Sequence, residues 1–298
     1  MPRAWTRFWF RESETAGFDL GVCRIVFCLG ALLYVVVGTQ DLARWAEVDS
    51  ALAQWPANSW MEVFHLPRFS LEVYRGALLT WYCALLLAGI GLFTRTAYAV
   101  AVGGGLLFCA LRATIYQAHH EDSVLIFVLI ALATSPCGER LSLDAKIRSA
   151  RGKEQQADSR WQHASLQLVR VLLAIIASFS GVAKLRNTGL DWVFGDVLPQ
   201  WLSFSQVTGW IYFQPIVRIP TELYGHNSIF VALAATTVAV ELLYPLAFRG
   251  GRWMIIPGTF ALMLVTFRLV IGPSMVLVLL AHTFWIPWTR WSRTRRTG

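Results

Sequence analysis

The residues that could do chemistry in this chain are ionisable side chains inside long apolar runs or at the ends of those runs. Burying a charge among apolar groups costs free energy, so each of these residues is a candidate for function or for a structural pair. Those inside the runs are Arg24, Arg112, Arg170 and Glu241, and those at the ends are His119, His120, Glu121, Asp122, Lys184 and Arg268.

Lys184 is the strongest candidate for a catalytic group. Burial in an apolar pocket disfavours the charged ammonium, and the neutral amine could then act as a general base. The alternative is that Lys184 reaches the lipid headgroups as a plain helix-end anchor. For Glu241 we expect a structural ion pair with Arg24 or Arg170, in which each charge offsets the desolvation of the other.

Other chemistry is poorly supported by the residue spacing. The run from His119 to Asp122 holds four possible metal ligands, but adjacent residues on a helix point apart, so we predict no metal site there. The five cysteines include no CxxC pair, which argues against a disulfide framework or a thiolate site. The pattern H-E-x-x-H and a glycine-rich phosphate loop are absent from the sequence. The remaining histidines are scattered and predicted to be interfacial: His65, His163, His226 and His282.

The composition indicates which elements must position these residues. Of the 298 residues, 56% are hydrophobic and 15% are charged, whereas a soluble domain carries about 25% charged residues. The apolar runs are continuous rather than alternating, which favours membrane-spanning helices over a β-barrel. The net charge of +8 is explained by basic residues that set membrane topology, so we predict a lipid bilayer and not nucleic acid as the partner.

We therefore predict an all-α integral membrane protein with about eight transmembrane helices. An interfacial N-terminal segment (1–19) precedes one membrane domain (20–288), and a basic cytoplasmic tail (289–298) follows it. The first run is long enough to span and lacks a small-residue cleavage site, so we expect no cleavable signal peptide. The predicted spans are 20–38, 76–93, 97–116, 122–136, 164–183, 228–247, 253–271 and 273–288.

The distribution of basic residues predicts a cell-membrane protein with both termini in the cytoplasm. That arrangement puts sixteen basic residues inside and seven outside. The loops 39–75 and 184–227 then lie outside, and their six tryptophans predict surface segments that cap the bundle, including a short helix near 199–213. At the outer ends of the helices this topology places Lys184, Asp122, Arg112, Arg268, His119 and His120, and in the inner half it places Arg24, Arg170 and Glu241.

Four stretches, in order along the chain, resemble the HTTM family, the membrane domain shared with vitamin K-dependent γ-carboxylases. The first is LGVCRI at 20–25, and the second is the span opened by Asp122 with SLDA following at 142–145. The third and most specific is SGVAKL at 180–185, followed by Trp192 and Gly195. The fourth is ELLYP at 241–245.

The resemblance implies that Lys184 matches the lysine that deprotonates vitamin K hydroquinone in the γ-carboxylase. Oxygenation of that quinol then yields a strong base that removes a proton from glutamate. Two features differ from the family. Arg268 follows Phe267 where family members often carry a histidine, and the large lumenal domain of the γ-carboxylase is not present in this sequence. Other bacterial members of the family resemble accessory membrane proteins that mature a secreted peptide toxin.

Two functions are therefore predicted from the sequence. The first is a γ-carboxylase-like enzyme that acts on a lipid-soluble quinol, or on a peptide, at the outer face, with Lys184 and Asp122 as catalytic residues. In it, Arg268, Arg112, His119 and His120 position the substrate. The second is a non-catalytic accessory protein for the maturation or export of a secreted peptide, docked on the tryptophan-rich loops. A transporter is a third class, which would need a polar path through the bundle.

Overall fold

The computed structural model describes residues 3–39, 60–63, 65, 67, 69–113, 120–153, 158–208, 227–271 and 276–289. Within these ranges the chain is helical and contains no β-strand, which confirms the predicted all-α class. Short 3₁₀ segments cover Tyr244–Arg249, Gly251–Met254 and His282–Trp285. The α-helices are α1 Arg3–Trp9, α2 Ala16–Gly38, α3 Trp60–Val63, α4 Leu71–Ile90, α5 Thr94–Ala113, α6 His120–Ala133, α7 Leu143–Ala150, α8 Ser159–Thr188, α9 Asp191–Phe194, α10 Val197–Thr208, α11 Asn227–Leu243, α12 Ile255–Ile271 and α13 Val276–Ala281.

Several helices in the described ranges have the length and composition of membrane spans. Five are long and apolar enough to cross a bilayer: Ala16–Gly38, Leu71–Ile90, Thr94–Leu111, Ser159–Thr188 and Asn227–Arg249. These five coincide with predicted spans. The other three predicted spans correspond to shorter apolar helices, Asp122–Ala133, Gly251–Thr266 and Val276–Trp285. The count of eight spans and the orientation of the chain remain predictions.

The chain divides into two compact units, the first made of residues 1–169 and 286–298. In this unit α2, α4, α5 and α6 pack in succession as neighbouring helices. Gly104 of α5 lies against Trp81 of α4, and a Cβ at this position would stand 2.4 Å from the indole ring. Trp81 donates its Nε1–H to the carbonyl of Ala101 at 2.9 Å and stacks on Phe108. The absence of a side chain at Gly104 therefore allows α5 to approach α4 closely.

Arg24 is fully buried in the first unit and bonds to main-chain oxygens. Its Nη1 donates to the carbonyl of Cys137 at 2.9 Å, and its Nη2 donates to the carbonyl of Leu141 at 2.5 Å. These bonds tie the segment after α6 to α2. Carbonyl oxygens, and not the predicted carboxylate of Glu241, are thus the acceptors that the structure gives to this guanidinium.

The second unit comprises residues 170–285 and contains the C-terminal part of α8 together with α9 to α13. Arg170 donates its Nε–H to the carbonyl of Phe284 at 2.9 Å and lies over the ring of Trp285. These contacts with the 3₁₀ segment His282–Trp285, and not an ion pair with Glu241 as predicted, are the ones that the structure gives to Arg170.

His282 is buried in the second unit, so the prediction that it is interfacial is wrong. Its Nδ1 lies 2.7 Å from the carbonyl of Val278, and its Nε2 lies 2.9 Å from the hydroxyl of Tyr244. A carbonyl can only accept, so Nδ1 carries the proton and Nε2 accepts from Tyr244. The two partners satisfy both ring nitrogens, which is why this histidine can be buried.

Candidate functional site around Lys184 and Glu241

A lysine and a glutamate form an ion pair in the second unit, between helices α8 and α11. The Nζ of Lys184 lies 2.6 Å from Oε1 and 2.8 Å from Oε2 of Glu241. Both carboxylate oxygens therefore accept from one ammonium. This geometry makes the bond charge-assisted and fixes the lysine head in one place.

Ser180 completes the pair from one turn earlier on α8. Residues four apart lie above one another on a helix face, so Ser180 and Lys184 point the same way. The Nζ of Lys184 donates to the Ser180 hydroxyl at 2.7 Å, and that hydroxyl donates to Oε1 of Glu241 at 3.1 Å. The three groups thus form a closed ring of hydrogen bonds.

Gly181 brings α11 close enough for the pair to form. It is buried, and a Cβ built on it would lie 3.1 Å from the Cβ of Glu241 and 3.1 Å from a methyl group of Leu242. A larger residue would have to push α11 away from α8. The SGVAKL stretch therefore provides the hydroxyl of Ser180, the space at Gly181 and the amine of Lys184.

Trp192 of α9 covers the ammonium from a third direction. Its ring centroid lies 5.1 Å from the Nζ of Lys184, within the range of a cation–π contact. Trp192 also packs against a hydrophobic cluster formed by α10 and α11, which holds the indole in position. The members of that cluster are Leu198, Leu202, Phe230 and Ala234.

The two charged side chains differ in their exposure. The Lys184 side chain keeps 20% of its surface accessible, and Glu241 keeps 6%. The lysine side chain is therefore the more accessible member of the pair, and the carboxylate is almost completely buried. Such a pair can exist as ammonium and carboxylate or, after one proton moves, as amine and carboxylic acid. A poorly solvated site lowers the cost of the neutral form relative to water.

Sequence reasoning placed Lys184 and Glu241 at opposite membrane depths, and the structure shows this to be wrong. The two side chains are in direct contact, and α8 extends five residues beyond the predicted span at each end, from Ser159 to Thr188. Lys184 therefore lies one turn inside a helix. Depth counted from the edge of an apolar run does not account for such extensions. The alternative of a free helix-end anchor is also not supported, because the ammonium is bonded to Glu241.

The contributions of Glu241, Ser180 and Trp192 to this site were missed. The role of Glu241 could have been predicted, because it is the one acidic residue in the apolar run 228–247 and a buried lysine needs a counter-charge. Ser180 stands four residues before Lys184, which places its hydroxyl on the same helix face. No spacing rule links Trp192 to Lys184, because the turn at 189–190 between them changes the direction of the chain.

Asp122 lies in the first unit and is buried at the start of α6. It lines a small, mainly apolar cavity together with Tyr34, Trp81 and Phe108. The cavity gives Asp122 an apolar setting, but its predicted role beside Lys184 remains a prediction. Among the described residues, no group of three His, Cys, Asp or Glu side chains is arranged to hold a metal ion.

The side chains of four predicted site residues lie outside the described part of the structure. Arg112 belongs to α5, His120 begins α6 and Arg268 belongs to α12, but their side chains lie outside the described residues. His119 lies outside them entirely, as do residues 40–59 and 209–226 of the two predicted outer loops. The predicted short helix at 199–213 corresponds to α10, Val197–Thr208. The substrate-positioning roles of these four residues remain predictions.

Comparison with known proteins gives no relative for this chain. No protein-family model matches it, and neither a curated protein nor a solved structure matches it. The resemblance to the HTTM family therefore remains a prediction from the motifs, and the function has to be argued from the geometry of the Lys184 site.

Proposed function

We propose that this chain is an HTTM-like, multi-pass protein of the cell membrane that deprotonates a lipid-soluble quinol at the pair of Lys184 and Glu241. The observation that carries the proposal is a partly accessible lysine side chain whose amine lies 2.6 Å from a buried carboxylate. Five helices of spanning length support the membrane setting. The excess of basic residues in the predicted inner segments supports cytoplasmic termini.

In the proposed reaction, Glu241 and Lys184 each accept one proton. The ammonium of Lys184 first passes one proton to the carboxylate of Glu241, which leaves a neutral amine and a neutral acid. The amine then takes the proton of a quinol hydroxyl and becomes an ammonium again, and the quinol becomes a quinolate. Ser180 can follow these changes, because its hydroxyl contacts both partners and can donate or accept.

Trp192 supplies a surface for the aromatic ring of the substrate. Its indole lies beside the Nζ of Lys184 and is fixed by the cluster of α10 and α11. Aromatic rings associate by offset or edge-on contacts, so a flat quinol ring could lie next to the indole with a hydroxyl near the amine. In this proposal Arg268 keeps the positioning role that the sequence suggests.

A second function is favoured by one feature of the same site. The three ammonium protons of Lys184 already face three acceptors, the two carboxylate oxygens and Ser180. An amine so fully bonded can be a structural link between α8 and α11. The chain would then be a non-catalytic accessory protein for the maturation or export of a secreted peptide.

Exchange of lysine for arginine separates the two functions. Arginine keeps the positive charge and can pair with Glu241, but its guanidinium does not release a proton and so cannot become a base. We expect wild-type protein in nanodiscs to speed oxygen uptake by a reduced naphthoquinol above the rate of empty nanodiscs. Lys184→Arg should reduce this excess at least about 100-fold. Arg186→Lys, the reverse exchange at an exposed position of the same helix, should leave it unchanged.

The outcome for the accessory function is different. If wild-type protein and Lys184→Arg both lack activity on the quinol, and both retain the same co-purified peptide, the quinol proposal is wrong and the structural role of Lys184 is supported. Equal oxygen uptake in wild type and Lys184→Arg would also exclude Lys184 as the base. Size-exclusion chromatography of each variant controls for folding.

A further inference from the structure

Helix α7, Leu143–Ala150, is fixed to the rest of the first unit through its N-terminal turn. Ser142 caps the helix by accepting from the amide of Ala145 at 2.9 Å. Asp144 accepts from the amides of Phe93 and Thr94 at 3.0 and 2.9 Å and from the Thr94 hydroxyl at 2.7 Å. Partial burial raises the pKa of Asp144, but these hydrogen bonds and the nearby Arg148 outweigh it, so the net pKa is lowered. The carboxylate is therefore held in its charged form as an anchor.

The anchor connects α7 to the turn between α4 and α5. The amide of Asp144 donates to the carbonyl of Gly91 at 2.9 Å, and Arg24 bonds the carbonyl of Leu141 just before the helix. Helices α4 and α5 both have spanning length, and residues 91–93 join them. Such a turn must lie at a membrane surface, if the proposed membrane insertion holds. Because α7 is bonded to this turn, it lies at the same surface.

One face of α7 combines apolar and basic side chains, and it is exposed. At 100° per residue, Leu143, Ile147 and Ala150 fall within about 60° of one another. Lys146 lies on one side of this stripe and Arg151, which follows the last helical residue, lies on the other. All five are exposed, with Leu143 at 38% and Ile147 at 40%. The anchoring residues Asp144 and Arg148 fall outside the stripe, about 90° and 130° from its centre.

The segments that flank α7 also expose apolar and basic side chains. Leu141 and Phe93 are 44% and 68% exposed, which enlarges the apolar surface at the turn. Arg140 and Lys153 are exposed and add to the positive charge. An apolar stripe flanked by basic residues is typical of helices that lie in the membrane interface. The charge is complementary to anionic headgroups, and the surface continues from the exposed apolar flanks of α4 and α5.

We propose that α7 is a binding site for anionic lipids, with the Leu143–Ile147–Ala150 stripe dipping into the acyl region and Lys146 and Arg151 contacting phosphate groups. This inference rests on the proposed membrane setting but not on the quinol chemistry. It predicts that the lipids next to α7 are enriched in anionic headgroups. The preference should fall at high salt, because exposed charges are screened.

Photo-crosslinking from α7 tests this proposal. Full-length protein with Ile147 replaced by p-benzoylphenylalanine is placed in nanodiscs that contain equal amounts of phosphatidylglycerol and phosphatidylcholine. Mass spectrometry then identifies the attached lipid. We expect labelling to favour phosphatidylglycerol roughly ten-fold. The added pair Lys146→Gln and Arg151→Gln should bring the ratio close to one, whereas the control pair Arg75→Gln and Arg186→Gln should leave it unchanged.

A second crosslinking position distinguishes failure of this site from failure of the membrane proposal. Leu79 lies near the middle of α4 and is 63% exposed, so the same photo-reactive residue there should label both lipids equally. If Leu79 labels lipid and Ile147 labels none, labels both headgroups equally or labels a peptide, the lipid site on α7 is wrong. If neither position labels lipid, the membrane setting itself is wrong.

Discussion

Lys184 shows how a charged residue can be kept among apolar helices. Its ammonium has three protons, and Glu241 and Ser180 provide three acceptors within 2.8 Å. The cost of desolvation is thus shared by two opposite charges and a hydroxyl. The lysine side chain is 20% exposed, so the pair is not sealed from its surroundings.

The energetic link between Lys184 and Glu241 can be measured with a double-mutant cycle. Lys184→Met leaves a nearly buried carboxylate without its cation, and we expect a loss of about 1–3 kcal/mol in the free energy of unfolding. Lys184→Met with Glu241→Leu removes both charges, so the double variant should lose less than the sum of the single variants. Reversible unfolding in detergent micelles supplies the free energies. Strictly additive losses would show that the two residues do not interact.

At the scale of the elements, the site depends on the close approach of α8 and α11. Gly181 permits this approach, since its missing side chain leaves room for Glu241 and Leu242. The hydrophobic cluster of α10 and α11 then holds Trp192 of α9 above the lysine. The chemistry of one amine therefore depends on the packing of four helices in one unit.

Enlarging Gly181 should separate the two helices. Gly181→Leu places several carbons where a Cβ alone would be 3.1 Å from Glu241, and we expect a loss of about 1–3 kcal/mol in the free energy of unfolding. Gly258→Leu is the matched control, because the Cβ position of Gly258 on α12 meets nothing within 4 Å. The control should change stability by less than about 0.5 kcal/mol. Equal losses in the two variants would contradict the role given to Gly181.

The sequence predicted the helices well but not how side chains pair across them. Continuous apolar runs identify α2, α4, α5, α8 and α11, since hydrocarbon requires helices that satisfy their own amides. The apolar runs do not show that α8 begins at Ser159, because residues 159–163 are largely polar and precede the run. Either Arg24 or Arg170 was expected to pair with Glu241, because only the signs of the charges were considered. The two guanidinium groups instead donate to the main-chain carbonyls of Cys137 and Phe284, and no sequence pattern predicts such acceptors.

At the scale of the molecule, the described surface suits a lipid environment. Large apolar side chains are widely exposed on the spanning-length helices, including Leu33 at 69%, Phe179 at 71% and Leu262 at 66% on the shorter apolar helix. A water-soluble protein rarely exposes apolar patches of that extent. These side chains are the ones that a bilayer would cover, so the exposed surface and the five long helices lead to the same proposed setting.

Thiol labelling tests that setting on one helix. Cys83 is exposed but lies in the middle of α4, so the bilayer and not the protein should protect it from a charged maleimide in nanodiscs. Glu72→Cys, on the first turn of the same helix and also exposed, should react readily. Peptide mass spectrometry identifies the labelled sites. Rapid labelling of Cys83 in intact nanodiscs would argue against a membrane-spanning α4, while labelling only after addition of SDS would support it.

The most direct measurement of the central claim is photolabelling with an azido-naphthoquinol in nanodiscs, followed by peptide mapping. If a quinol binds at the amine of Lys184, the label should attach to the segment 180–196, which includes Trp192, and an excess of unlabelled naphthoquinol should prevent it. Label spread over all the apolar helices, or label at this segment that an excess of naphthoquinol does not reduce, would contradict a quinol site at Lys184.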